Sequence, residues 1–317
     1  MKVIFWGTSE ISVPFLARLV DREEVAAVVT KPDAFSGRGH QKQLPAVKVF
    51  AQSRGIKIFQ PENLKEGSFS EGLKSLAADL CLVVSYGKII PETVLKIPRL
   101  GFINLHFSLL PKYRGAAPMQ WTIIKGEQKT GVTSFWLDAG LDSGPIILQK
   151  ETEILPEDNY LSLQERLIVL GMEAMEETLV LLGKNSAPKI VQQGEVSFAP
   201  PLKKEDGKID WNRPAKEIVN LVRGTYPWPG AFSYFKDKKG EARLIKIIAA
   251  KIWDKTSLSE YQPGQVAVVD KGQGFVIKSI QGEVLVTKVQ PEGKKELTAW
   301  NFWQGARLQV GDFLGQV

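Results

Sequence analysis

GFINLHFSLLPKYRGAAP, residues 101–118, is the stretch on which the fold turns. It opens as an apolar run (Phe102, Ile103, Leu105) with Asn104 and His106 set into it at alternating positions. Residues two apart in an extended strand share a face, so Asn104 and His106 project to one side and Ile103 and Leu105 to the other. Two polar side chains on one face of an otherwise apolar strand are costly unless paired or used. After Phe107 come SLLP, a basic-aromatic patch (Lys112, Tyr113, Arg114), a small-residue turn and a helix from Met119. A strand that ends in polar groups and then turns is where open α/β sheets place their ligands.

An Asn and a His in a strand are also compatible with satisfied structural residues. The surroundings favour use. The chain has two histidines, and one of them sits here beside a carboxamide. Downstream, VTSFWLDAGLDSG (residues 132–144) reads as a second polar-ended strand whose Asp138 and Asp142 could close on the same crevice. An amide donor, an imidazole and a carboxylate suffice for non-covalent acyl transfer: one stabilises a developing oxyanion, one handles a proton, one orients the imidazole.

Outward from this stretch, residues 2–6 (KVIFW) predict a first strand, 13–21 a helix and 25–30 a second strand. This order reads as a doubly wound, mostly parallel (Rossmann-like) α/β sheet. The turn after the first strand is not G-x-G-x-x-G, which argues against a dinucleotide site. Residues 31–45 predict a loop with Lys31, Arg38 and Lys42 around two glycines; the second histidine, His40, falls here and reads as a surface residue. Residues 78–85 predict a central strand, apolar on both faces as parallel strands are, ending in Tyr86, Gly87, Lys88 and Ile89. A long amphipathic helix is expected over 159–182, with Ser162 and Glu165 spaced as a capping box and Leu163, Leu167, Leu170 and Ala174 as its core stripe.

Residues 1–183 thus read as one domain and 184–206, with three prolines, as an extended linker. Residues 207–317 form a second domain with a short helix and five strands, which suggests a small OB-like β-barrel, although other small barrels fit the same composition. The whole formal excess of +6 falls there, where 17 Lys and Arg face 11 Asp and Glu. A basic module beside a neutral one suggests a polyanionic partner, with Lys246, Lys251, Lys278 and Lys288 on its strands; a generic basic surface is the bland alternative. The single cysteine, Cys81, lies in an apolar run and reads as a small hydrophobe. No disulfide framework, signal peptide or membrane span is predicted, and a cytoplasmic monomer is the simplest expectation.

The combination N-x-H-x-S-L-L-P-x-Y-R-G with G-x-T-x-x-x-L-D-x-G-L-D-x-G resembles the 10-formyltetrahydrofolate-dependent formyltransferases. The resemblance covers essentially the whole chain, strongly to about residue 144. Near the start, Gly7-Thr8-Ser9-Glu10-Ile11 replaces the family's more usual G-T-P-x-F. The resemblance implies a catalytic Asn104, His106 and Asp142; with two histidines and one cysteine leaving few ligands, no metal is expected. It implies folate contacts from Tyr86, Gly87, Ile89, Ser108, Leu109, Leu110, Pro111 and Asp138. Members acting on initiator methionyl-tRNA carry a P-D-x-x-x-G-R-G loop, which implies tRNA contacts from Arg38 and Lys42, with Lys246 and Lys251 added by the basic barrel. Other members use amino-sugar nucleotides, small amines or water as acceptor, and the triad alone does not separate these. A non-catalytic tRNA-binding protein is the reading from a different class, disfavoured because all three catalytic positions are intact.

Overall fold

The computed structural model describes residues 1–36, 41–237, 239–255, 258–306 and 308–315. The expectation for Arg38 and His40 lies outside the described residues, as does the side chain of Lys42. The chain divides into two compact units. The first comprises 1–118, 129–152 and 165–200, and the second 119–128, 153–164 and 201–317.

The first unit begins with β1 (Lys2–Gly7), α1 (Ser12–Val20) and β2 (Glu24–Val29). A two-stranded hairpin follows, β3 (Ala34–Ser36) with β4 (Gln41–Gln43), inside the stretch expected as loop. Next come α2 (Ala46–Ser53), β5 (Ile58–Phe59), α3 (Gly67–Lys74), β6 (Leu80–Val84), α4 (Glu92–Leu95) and β7 (Phe102–His106). After β8 (Arg114–Gly115) and α5 (Pro118–Ile124), most of which belongs to the second unit, the sheet is completed by β9 (Lys129–Trp136) and β10 (Ile146–Glu153). The seven strands lie in the order β10-β9-β7-β6-β1-β2-β5. Pairings from β5 through β7 are parallel, whereas β9 runs antiparallel to β7. Every residue of β6 is buried, as expected of a central parallel strand. On one face Trp6 meets Phe69, Tyr86 and Phe102 edge-on, with ring centroids 5.1–5.9 Å apart; Leu73, Cys81 and Val94 fill the space around them.

Helix α6 (Tyr160–Gly183) buries Leu163, Leu167 and Ala174, with Leu170 half-buried. Its capping box is not Ser162/Glu165. Asn159 Oδ1 accepts the Leu161 and Ser162 amides, and the Ser162 hydroxyl accepts the Asn159 amide. Asn159 therefore caps and Ser162 is the third helical residue, one turn earlier than expected; Asn is as good a cap as Ser. The stretch 184–200 is tied to the sheet rather than free. Ile190 bridges to Ile146, and β11 (Phe198–Ala199) pairs in parallel with β8.

In the second unit, α7 (Ala215–Thr225) turns Ile218, Val219 and Val222 onto a curled antiparallel half-barrel, consistent with an OB-like fold. Its strands are β12 (Ala231–Lys236), β13 (Ala242–Ile252), β14 (Val266–Asp270), β15 (Gly274–Lys278) and β16 (Glu283–Pro291), ordered β12-β13-β16-β15-β14, with β17 (Leu297–Thr298) on β16. Register shifts around Ala249 change the side-chain parity of β13. Ile245, Ile247 and Ala250 all face the core as a result, and Lys246 and Lys251 share the opposite face. A terminal helix, α8 (Ala299–Ala306), was not expected. Thr298 Oγ1 accepts the Asn301 amide at 3.2 Å, an N-terminal cap that T-A-W-N carries in plain sight.

Candidate functional site

Strand β7 places Asn104 and His106 on one face, while Ile103 and Leu105 are fully buried on the other. Asn104 is half-buried, and among the described residues its carboxamide makes no hydrogen bond. His106 is buried, with its ring edge-on to Phe135 at 6.4 Å.

The SLLP turn beyond β7 is built to bring the chain back over this face. Thr133 Oγ1 donates to the Ser108 carbonyl and accepts the Leu110 amide; Gln149 Nε2 donates to both Thr133 Oγ1 and the Leu110 carbonyl. The Ser108 hydroxyl donates to the Lys112 carbonyl at 2.6 Å. Tyr113 then adopts a left-handed backbone, φ 61°, and its carbonyl lies 2.9 Å from His106 Nε2. A carbonyl only accepts, so Nε2 carries a proton and donates. Nδ1 is left facing Asp142, 3.6 Å from Oδ2.

Asp142 arrives from an unexpected direction. Ile103 pairs with Trp136, so the loop after β9 leaves beside the start of β7. It must return three strand residues, about 10 Å, to reach His106. Three contacts hold it there. Asp142 Oδ2 accepts the Gly115 amide at 2.7 Å. Gln192 Nε2 donates to the Asp142 and Gly144 carbonyls, each at 2.8 Å. Gln192 Oε1 in turn accepts from the Arg114 guanidinium at 2.7 Å. Asp142 itself sits at φ 47°, a region that Asp and Asn tolerate better than most residues.

The structure therefore brings Asn104, His106 and Asp142 to one place. It treats the other sequence-derived positions differently. Asp138 lies on the Asp142 loop, but its carboxylate braces that loop by accepting from Gly140 N–H and the Ser143 hydroxyl. Ser108, Leu110 and Pro111 turn their side chains inward; Leu110 packs with Phe135 and Ile146, and Leu109 is half-buried. Tyr86 is buried against Trp6, its hydroxyl has no hydrogen-bond partner, and burial pushes its pKa up to about 12. Gly87 adopts φ 74°, and a Cβ there would meet the Lys31 ammonium. Burial, with Lys88 nearby, holds the Lys31 pKa below its ordinary value. Ile89 is exposed.

In the second unit, Lys246 donates to the Pro229 carbonyl and Lys251 to Gln273, and among the described residues neither pairs with a carboxylate. Lys278 and Lys288 are paired with Glu283 and Glu296. Sequence reasoning missed Gln192, Ser197 and the backbone of Tyr113 and Gly115. Ser197 Oγ accepts the Tyr113 amide at 2.9 Å. No local pattern marks the side chains of Gln192 and Ser197, because their partners lie 48 to 84 positions away, and the Tyr113 carbonyl and Gly115 amide are backbone groups that no residue type announces.

Comparison with known proteins identifies the family. Residues 1–179 match the formyl transferase family model, and residues 201–307 match the formyl transferase C-terminal domain. A methionyl-tRNA formyltransferase of Thermodesulfovibrio yellowstonii is 45% identical over 310 residues, covering 98% of this chain and 97% of that one. One from Pelotomaculum thermopropionicum is 42% identical over 317 residues, covering 100% and 99%. Among solved structures, the sugar 3N-formyl transferase WlaRD shares the fold, with a TM-score of 0.66 at 21% identity over 93% of this chain and 99% of that one. HypX from Aquifex aeolicus, in complex with tetrahydrofolic acid, gives 0.64 at 17% identity over all of this chain, which spans about half (51%) of HypX. The chain belongs to the methionyl-tRNA formyltransferase family, with both the formyl transferase domain and the formyl transferase C-terminal domain.

Proposed function

We propose that this chain transfers the formyl group of 10-formyltetrahydrofolate to the free α-amine of initiator methionyl-tRNA, for translation initiation. The convergence of an unpartnered Asn104 carboxamide with His106 and Asp142 on one face carries the reading. The folate, when bound, supplies a formyl group on a nitrogen that can leave. Leu141, next to Asp142 in sequence, and Ile89, in the segment that follows β6, are exposed and offer apolar surface to such a ring system.

Each residue then has a distinct task. The Asn104 carboxamide donates a hydrogen bond to the formyl oxygen as negative charge develops there, an effect worth roughly 10²–10³ in rate at comparable sites. Asp142 accepts the proton that the attacking amine loses, directly or through water. His106 delivers a proton from Nδ1 to the departing nitrogen, while its Nε2–H stays fixed on the Tyr113 carbonyl. The 3.6 Å between Asp142 and Nδ1 lets the proton taken up by one return to the other. One proton leaves the amine and one reaches the folate nitrogen, so the site ends each turnover as it began.

Residues 1–183 carry this chemistry in our reading, and residues 207–317 hold the tRNA through Lys246 and Lys251, with Arg38 and Lys42 meeting the acceptor end. We place the reaction in the cytoplasm and in a monomer. No helix among the described residues is long and apolar enough to cross a membrane. The test is transfer of labelled formyl with methionyl-tRNA, free methionine, a nucleotide-sugar amine and water in competition. Formylation confined to the charged tRNA and weakened steeply by salt supports the reading. Turnover with a small amine or water would overturn the acceptor.

A further inference from the structure

Arg114 stands between the two residues that anchor the ionisable pair. The Tyr113 carbonyl before it accepts from His106, and the Gly115 amide after it donates to Asp142. Its guanidinium donates to Gln192, yet among the described residues the buried Nε has no partner. Among the described residues no carboxylate pairs with it. A half-buried cation without a counter-ion, one residue from a reaction centre, is unusual unless a ligand completes it.

The neighbouring strand supplies a second group. Arg114 pairs in register with Phe198, and Gly115 with Ala199. Ala199 is fully buried, whereas Phe198 is 63% exposed. This large aromatic side chain thus stands open on a strand tied into the site. A guanidinium that lacks an anion and a bare ring, carried by residues paired across two strands whose backbones lie about 5 Å apart, fit the two ends of a nucleotide, phosphate on the one and base on the other.

We propose that Arg114 and Phe198 form the subsite for the 3′-terminal nucleotide of the charged tRNA. Phe198 stacks on the base and Arg114 binds the phosphate. The inference rests on the acceptor proposed above: the amine belongs to a methionyl group esterified to the terminal ribose. That nucleotide must therefore lie within a few bonds of Asn104, His106 and Asp142, where Arg114 and Phe198 are placed. Stacking reads a π-face rather than base edges, so this subsite positions the acceptor without selecting its sequence.

The test compares the unmodified chain with Phe198→Ala, Phe198→Trp and Arg114→Lys, using methionyl-tRNA, a methionyl-CCA trinucleotide and methionine methyl ester as acceptors. Loss of one base stack raises KM for both nucleotide acceptors roughly 5- to 100-fold. KM for 10-formyltetrahydrofolate stays unchanged, as does turnover of the methyl ester. Phe198→Trp restores KM, and Arg114→Lys, which also loosens Gln192, raises KM for the nucleotide acceptors by a larger factor than it slows the methyl ester. An unaltered KM in Phe198→Ala overturns the subsite, and so does an equal loss with the methyl ester, which marks a structural role. Absence of transfer to methionyl-tRNA by the unmodified chain overturns the acceptor reading itself and the subsite with it.

Discussion

The Asp142 carboxylate is held by the Gly115 amide at 2.7 Å, and the same oxygen faces His106 Nδ1 at 3.6 Å. One atom thus serves a backbone anchor and the imidazole together. Asp142→Asn separates the two: an amide oxygen still accepts from Gly115, and Asn tolerates φ 47°, but the charge is gone. We expect kcat to fall about 10²- to 10⁴-fold with the melting temperature nearly unchanged. Steady-state kinetics beside calorimetry checks this, and an unaltered kcat removes the carboxylate from the proton transfer.

Asn104 offers a cleaner separation still. Its carboxamide has no hydrogen bond to lose among the described residues, so Asn104→Ala leaves the fold intact. The formyl oxygen loses its donor, and kcat drops about 10²- to 10³-fold. Rapid-quench measurement of a single turnover isolates this step; a rate equal to the unmodified chain's would remove Asn104 from oxyanion stabilisation.

Gly115 is a steric requirement. A Cβ there would lie 2.7 Å from the Ala199 carbonyl oxygen, at φ 124°, and backbone cannot swing aside as a side chain can. Gly115→Ala should cost about 2 kcal/mol or more and, by moving the amide that holds Asp142, lower kcat as well. Gly194→Ala is the control. Its φ of 106° is strained too, but nothing lies within 4 Å of the added carbon, so about 1 kcal/mol is expected. Thermal denaturation of both variants decides whether crowding or backbone strain dominates.

Acid titration should find Asp79. Its carboxylate accepts the Lys2 amide at 3.0 Å and two nitrogens of Arg99 at 2.9 and 3.1 Å. The backbone hydrogen bond first, and Arg99 second, hold its pKa below the usual carboxylate value. A group depressed on folding stabilises above its unfolded pKa, and that contribution disappears as pH falls through the folded one. Asp79→Asn should therefore melt lower at neutral pH, with the gap closing below about pH 4. A gap independent of pH would mean that the charge plays no part.

What the sequence made legible follows the range of the forces involved. Alternation at 102–106 sets which face Asn104 and His106 occupy, because strand geometry alone decides it. The parallel sheet follows from strands and helices in alternation. The direction from which Asp142 arrives does not, since β9 pairs antiparallel with β7 and nothing in its own residues says so. The turn after β7 met the same limit: the Ser108 carbonyl and the Leu110 amide and carbonyl are tied down there, which is visible only once Thr133 and Gln149 are in place. Helix α8 was hidden by its aromatic content, although its Thr298 cap was readable.

Gln192 gives the first unit a temporal order. The loop bearing Asp142 is complete in the chain by residue 144, but its two carbonyls have no clasp until a residue 48 to 50 positions later arrives. Contacts of long sequence separation form late in folding, after shorter loops have closed. On a ribosome, the sheet strands through β10 emerge well before the clasp does. Pairing of Asp142 with His106 is thus a late event in the assembly of this unit, and a nascent chain halted at residue 185 should carry every catalytic side chain without the clasp that sets Asp142 against His106.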